Sequence, residues 1–216
     1  GDLGDARFNN YILEHGHKYF SGEINSYWNA PFLFPYKNVT ALSDNLLGAL
    51  PVYSFFRILG TDRETSFLFW LITLFALNYI CCFIALKQWS GNVILSSVGA
   101  YIFAFSIYNI GQLDHVQILP KFISPLVIFW WWKFISEKKE KYFLFVILGL
   151  VYQFYCGIYL AFMLAYILIF MLFAYCAVYR NNLEFYKFRN KRLLSYIVSV
   201  SIVAIVLLLP LLMPYI

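Results

Sequence analysis

The chain opens GDLGDARFNNYILEHGHKYF, and its first acids stand where they can hold a cation or take a proton. Asp2 and Asp5 flank a glycine, and on a helix Asp5 and Asn9, four apart, point the same way. Two carboxylates and an amide at one helix N-terminus offer oxygen ligands to a divalent cation such as Mg or Mn. Either carboxylate alone can serve as a general base. The plainer reading makes Asp5 an N-cap and Asp2 a loop charge. A second acid-base pair, Asp114-His115, lies in GQLDHVQILP. A carboxylate beside an imidazole binds metal, relays a proton or, when charged, binds phosphate; it also stands unremarked in a solvated loop.

Other polar residues carry less. Asp44, in ALSDNLLG, suits the first turn of a helix, where a negative side chain is favoured. His15 and His17 diverge on a helix and make a poor metal pair, with His15, two to three turns beyond Asp5, the better site candidate. No Gly-x-Gly-x-x-Gly, Walker loop or His-Glu-x-x-His is present, so a nucleotide-consuming site has no support. The four cysteines all fall inside apolar runs and read as small hydrophobes rather than a disulfide framework.

The elements that must position these residues are membrane helices. Of 216 residues 62% are hydrophobic, 22% aromatic and 12% charged, with a mean hydropathy of +0.70. A soluble domain carries about twice that charge, and so little of it cannot cover a water-facing surface. The pattern predicts an all-α, polytopic transmembrane protein. Residues 1–65 form a large external loop with two juxtamembrane helices, and residues 66–216 form spans at about 66–86, 93–110, 119–134, 142–155, 158–178 and 193–213. Pro120 suits the first turn of the third span. The apolar run Tyr142–Tyr179 is 38 residues long; as one helix it would measure about 57 Å, nearly twice a bilayer core, so it is divided near Gln153, Cys156 and Gly157.

In the external loop, Asp5 is expected to cap Ala6–Tyr19, with Phe8, Ile12 and Tyr19 along the membrane surface. Ser43 is expected to cap Asp44–Leu59, with Trp28, Phe32, Phe34 and Tyr36 dipping into the interface between the two helices.

This count of passes puts Lys87, Lys133, Lys138, Lys139, Lys141, Arg180, Lys187, Arg189, Lys191 and Arg192 on one side, which short basic loops mark as cytoplasmic. The opposite face then carries residues 1–65 and Gly111–Ile118, with eight of the eleven acids. The net charge of +5 is thereby a matter of topology, and no nucleic-acid surface is expected. Residue 1 is Gly, and the far end stops in apolar sequence, so the chain is expected to be part of a larger protein whose remaining transmembrane helices are its partners.

GDLGDARFNNYILEHG, WNAPFLFPYKNVTALSDNLLG and QLDHVQILP, in that order and on one face, resemble the GT-C superfamily of membrane glycosyltransferases. The likeness is greatest to bacterial multi-span proteins of the dolichyl-phosphate-mannose mannosyltransferase-like or YfhO-like kind. The resemblance implies a polyprenyl-phosphate-linked sugar donor, membrane lipids as surroundings, and transfer on the non-cytoplasmic face of a bacterial inner (plasma) membrane. It implies Asp5, with Asp2 as rival, as base or metal ligand. Asp114 and His115 would hold metal or donor phosphate, Arg7 would offset phosphate charge, and Asn9, His15 and Asp44 would give support. The rival readings are a transporter or lipid flippase, and a non-catalytic membrane assembly subunit.

Overall fold

A computed structural model of the protein describes residues 4–179 and 191–215. Among the described residues every regular element is helical. In chain order these are α1 (Gly4–Phe20), a 3-10 turn (Val39–Leu42), α2 (Leu50–Ile58), α3 (Arg63–Ser90), α4 (Val93–Phe105), α5 (Ile107–Gly111), a 3-10 segment (Leu113–Ile118), α6 (Ser124–Glu137), α7 (Glu140–Cys156), α8 (Ile158–Tyr179), α9 (Lys191–Leu212) and a last 3-10 turn (Met213–Tyr215).

Four stretches are long and apolar enough to cross a membrane: Arg63–Ser90, Val93–Gly111, Ile158–Tyr179 and Lys191–Tyr215. The six expected spans are therefore four by this measure. The other two, α6 with 14 residues and α7 with 17, reach only about 21 and 26 Å. Pro120 does not open the third span: the chain stays irregular to Ile123, and Pro125 takes the first helical turn instead. Both short helices still join the same two ends of the bundle. Gln153 near the end of α7 meets Ser124 at the start of α6, and Phe134 meets Phe143 and Leu193 at the other end.

Local chemistry explains the boundaries. Asp62 caps α3, accepting the N–H groups of Glu64 and Thr65 at 3.0 Å, and Gly91, with a φ of 69°, turns the chain out of α3. Asn92 then caps α4 through the N–H of Leu95. The α4 to α5 break falls at Ser106, and Asn109 Nδ2 donates to the freed carbonyls of Phe103 and Ala104. Asn78 of α3 donates to the Leu119 carbonyl, and Gln153 of α7 to that of Pro120. The irregular stretch before α6 is satisfied in this way, as backbone outside a helix must be where no water reaches it. Gly149 lets α7 approach α6, since a Cβ there would lie 2.4 Å from Val127 Cγ2.

The external loop seats on the helix ends. Gly48 N–H donates to the Tyr155 carbonyl at 2.6 Å, Trp70 Nε1 to that of Ala49 at 3.0 Å, and the Tyr215 hydroxyl to that of Ser43 at 3.3 Å. Leu13, Leu46, Leu50, Tyr53, Trp70 and Leu119 fill the core beneath it. At the opposite end lie the basic residues: Lys133 and Lys139 on Glu137, Arg192 facing Glu140, and Lys138 on the Tyr175 hydroxyl. Arg180, Lys187 and Arg189 lie outside the described residues.

Two helix expectations are corrected. Ser43 starts no helix, closing the 3-10 turn Val39–Leu42 instead, and Asp44 is not helical, because residues 43–49 are spent bridging to α7, α8 and the last 3-10 turn; the second loop helix starts at Leu50. Ile12 is 1% exposed and belongs to the core rather than a membrane-facing side. Of the loop aromatics, Phe34 and Tyr36 are exposed, while Trp28 packs edge-on to Tyr215 and Phe32 to Phe8.

Candidate active site

Helix α1 begins at Gly4, so Asp5 is its second residue rather than its cap, still in the first turn where a carboxylate is favoured. The 3-10 segment Leu113–Ile118 packs against α1, and His115 occupies a non-helical conformation there, at φ −111° and ψ 59°. Its Nδ1 lies 2.7 Å from Asp5 Oδ2. The side chains are 53% and 54% exposed, so solvent and ligands reach both.

The pair is braced from behind. Buried Asn9 donates through Nδ2 to the Asp5 carbonyl at 2.8 Å and to Gln117 Oε1 at 2.9 Å. The two segments that carry the pair are thus tied a second time, one helical turn away. A cleft of about 370 Å³ opens beside it, lined by Asp5, Phe8, Asn9, Phe32, Leu42 and Gln117. Phe32 sits edge-on to Phe8, centroids 5.2 Å apart, and forms an apolar wall. A polar corner with an aromatic wall is the usual build of a small-molecule site.

The other candidates divide. Asp114 is half-buried in the first turn of the 3-10 segment and makes no hydrogen bond or ion pair among the described residues; His115, not Asp114, meets Asp5. Arg7 is exposed, and two residues from Asp5 it falls on a different side of α1. His15 is buried, its Nε2 3.0 Å from the Tyr27 carbonyl, and burial pulls its pKa below the ordinary value. It therefore pins the loop to α1. Asp44 accepts the N–H of Ile158 and caps α8 instead of opening a helix of its own. Asp2 lies outside the described residues.

Two groups escaped the sequence pattern. Gln117 stood two residues past His115 in QLDHVQILP, a spacing that on a helix gives no sign of a shared face; the non-helical His115 brings the two segments together. Glu14, buried on α1, takes Arg57 Nε at 2.9 Å, Arg57 Nη2 at 3.2 Å and the Tyr53 hydroxyl at 2.8 Å, a brace between α1 and α2. Burial opposes its ionisation, but the Arg57 and Tyr53 hydrogen bonds prevail and hold its carboxyl below the usual glutamate range.

The described residues assemble no multi-ligand cage for a resident Mg or Mn ion. Such cations take about six oxygen ligands, of which one or two are carboxylates and the rest waters and substrate phosphates, and among the described residues no group of three or more His, Cys, Asp or Glu side chains converges. Asp5 brings one carboxylate, and a histidine engages it. The chemistry open to the pair is proton transfer and hydrogen bonding to an anion.

Comparison with protein-family models, curated proteins and solved structures returns no match.

Proposed function

We propose that the chain is part of a polytopic GT-C-like glycosyltransferase, with the Asp5–His115 pair as its acid-base centre. It moves a sugar from a polyprenyl-phosphate-linked donor to an acceptor hydroxyl on the face that carries residues 4–65. The observation that carries this reading is the 2.7 Å contact between a carboxylate and an imidazole 110 residues apart, at the mouth of a cleft, at the polar end of a bundle of apolar helices.

In this reading the acceptor oxygen bonds to the anomeric carbon as the bond from that carbon to the donor phosphate oxygen breaks. The phosphate leaves with the bonding electron pair. The hydroxyl proton passes to the Asp5–His115 pair, where the carboxylate keeps the imidazole in one orientation and stabilises its charged form. Asn9 and Gln117 hold the two segments at that distance, and the wall of Phe8 and Phe32 offers an apolar face to a sugar ring. The donor's polyprenyl tail lies in the bilayer beside the helices. The face concerned is periplasmic or extracellular, and the membrane is a bacterial inner membrane.

A transporter or flippase needs polar groups free at mid-membrane. The amide nitrogens of Asn78, Asn109 and Gln153 are each spent on backbone carbonyls, Asn109 Oδ1 accepts from Lys121 and Gln153 Oε1 from Ser124, and Asn78 Oδ1 is the one atom of these amides left without a partner among the described residues. The test is Asp5→Asn in the full-length protein, assayed in membrane vesicles for transfer from a labelled polyprenyl-phosphate sugar. Loss of transfer with normal insertion supports the assignment; unchanged turnover removes Asp5 from the chemistry, and no transfer by the wild-type protein leaves the assembly-subunit reading in its place.

A further inference from the structure

Beyond the aromatic wall lies a second cleft, about 450 Å³, whose rim includes Tyr11, Glu14, His15, Lys18, Asn29 and Arg63. Its size is in the range of small-molecule sites. Tyr11 stacks near Phe8 at 6.4 Å and meets Phe32 edge-on at 6.0 Å, so one cluster of rings separates the two clefts.

The charges around this cleft do not cancel. Glu14 is consumed by Arg57 and Tyr53, and His15 Nε2 is engaged by the Tyr27 carbonyl. Lys18 makes no ion pair among the described residues. Among the described residues the one carboxylate within 4.0 Å of Arg63 is that of Glu64, a loose ion pair at 3.9 Å with Glu64 78% exposed, too far for a hydrogen bond. Arg63 Nε is sealed from solvent yet has no acceptor among the described residues. The Arg63 side chain is nonetheless 41% exposed and belongs to the wall of the cleft, so its guanidinium is open to an anion there. Asn25, Ser26 and Asn29 add uncharged polar groups, and Tyr11 adds a ring for an apolar sugar face.

We infer that this cleft binds a small anionic polyol, its phosphate or carboxylate held by Lys18 and Arg63 and its hydroxyls by Asn25, Ser26 and Asn29. The inference is independent of the catalytic reading of Asp5. The same chemistry is presented by a soluble sugar phosphate and by a phosphatidylglycerol headgroup.

The experiment uses the full-length protein in nanodiscs and has two arms. In phosphatidylcholine discs the protein is titrated with glucose 6-phosphate by thermophoresis; in discs containing phosphatidylglycerol, retained lipid is counted by native mass spectrometry. Saturable binding in the first arm assigns a soluble ligand, and selective retention in the second assigns a headgroup. In the binding arm, Lys18→Gln and Arg63→Gln each weaken the interaction about tenfold, while Lys37→Gln, an exposed charge of the same loop, leaves it unchanged. Lys18 is exposed, so its variant folds and the readout survives even if Arg63→Gln does not fold. No binding in either arm, or an equal loss with Lys37→Gln, overturns the inference.

Discussion

The carboxylate of Asp44 accepts the N–H of Ile158 at 3.1 Å, joining the external loop to the start of α8 across 114 residues. The first N–H groups of a helix have no partner within it, so a distant side chain completes α8. Burial pushes the Asp44 carboxyl above its ordinary value of 3.8, with the N–H groups of Ile158 and Tyr159 pulling the other way.

A group whose folded pKa is raised stabilises most below its unfolded value and loses that contribution as pH climbs through the folded one. Asp44→Asn keeps an oxygen acceptor and removes the penalised charge. Its melting temperature in detergent is expected to match or exceed wild type at neutral pH, with a flatter dependence between acid and neutral conditions. Asp44→Ala loses the cap and about 1 kcal/mol. A lower neutral-pH melting temperature for the Asn variant than for the Ala variant would contradict this account.

Glu14 carries the opposite sign. Its folded pKa lies below the ordinary 4.5, so its contribution is present above that value and disappears as pH falls through the folded one. Glu14→Gln leaves Arg57 without its carboxylate and is expected to cost about 1–3 kcal/mol at neutral pH, less in acid. Equal destabilisation at both pH values, read from chemical or thermal unfolding, would show that the brace is not electrostatic.

Gly48 touches the α7 to α8 turn so closely that a Cβ would fall 2.6 Å from Cys156 Sγ and 2.9 Å from the Cys156 backbone nitrogen. Backbone cannot move aside as a side-chain tip can. Gly48→Ala is expected to lower stability by about 1–3 kcal/mol, whereas Gly111→Ala, whose Cβ meets nothing within 4 Å, is expected to be tolerated. Similar melting curves for the two variants would rule out the close seat.

At the site, Asp5→Asn and His115→Gln are each expected to reduce transfer by about 10²–10⁴, and the double variant by no more than the worse single one. Independent, multiplying losses in kcat/KM would mean that the two residues act apart.

The separation of the loop from the lysine-rich end of the bundle makes sidedness a prediction. In a background without the native cysteines, Lys37→Cys is expected to react with a membrane-impermeant maleimide from outside intact cells, and Glu137→Cys only after permeabilisation. Labelling of both from one side would place the acid pair and the lysine cluster on the same face.

The long apolar runs of α3, α8 and α9 are legible because their length and hydropathy suffice to cross a membrane, even with Pro210 inside α9. The start of α6 is not, since Pro120 looks like an N-terminal residue until Asn78 and Gln153 are seen holding the carbonyls of Leu119 and Pro120 open. Those partners are backbone atoms, and no side-chain pattern encodes them. The same limit governs the site. Asp5 and the Asp114-His115 dipeptide stand out by type, but the choice of His115 over its neighbour is made by one non-helical residue in a 3-10 segment. Asp44 was visible as a helix-starting acid, and only the tertiary fold determines that the helix it starts is α8.

The loop that rests on the bundle also sets an order of assembly. Ser43 finds the hydroxyl of Tyr215 across 172 residues, and Gly48 finds the turn after α7. A ribosome delivers the loop long before it delivers either contact. During synthesis this segment must therefore wait while the later helices are made one after another. Its seat on the bundle is thus closed last, and the apolar surface of Leu46 and its neighbours is complete only once the chain's far end has arrived.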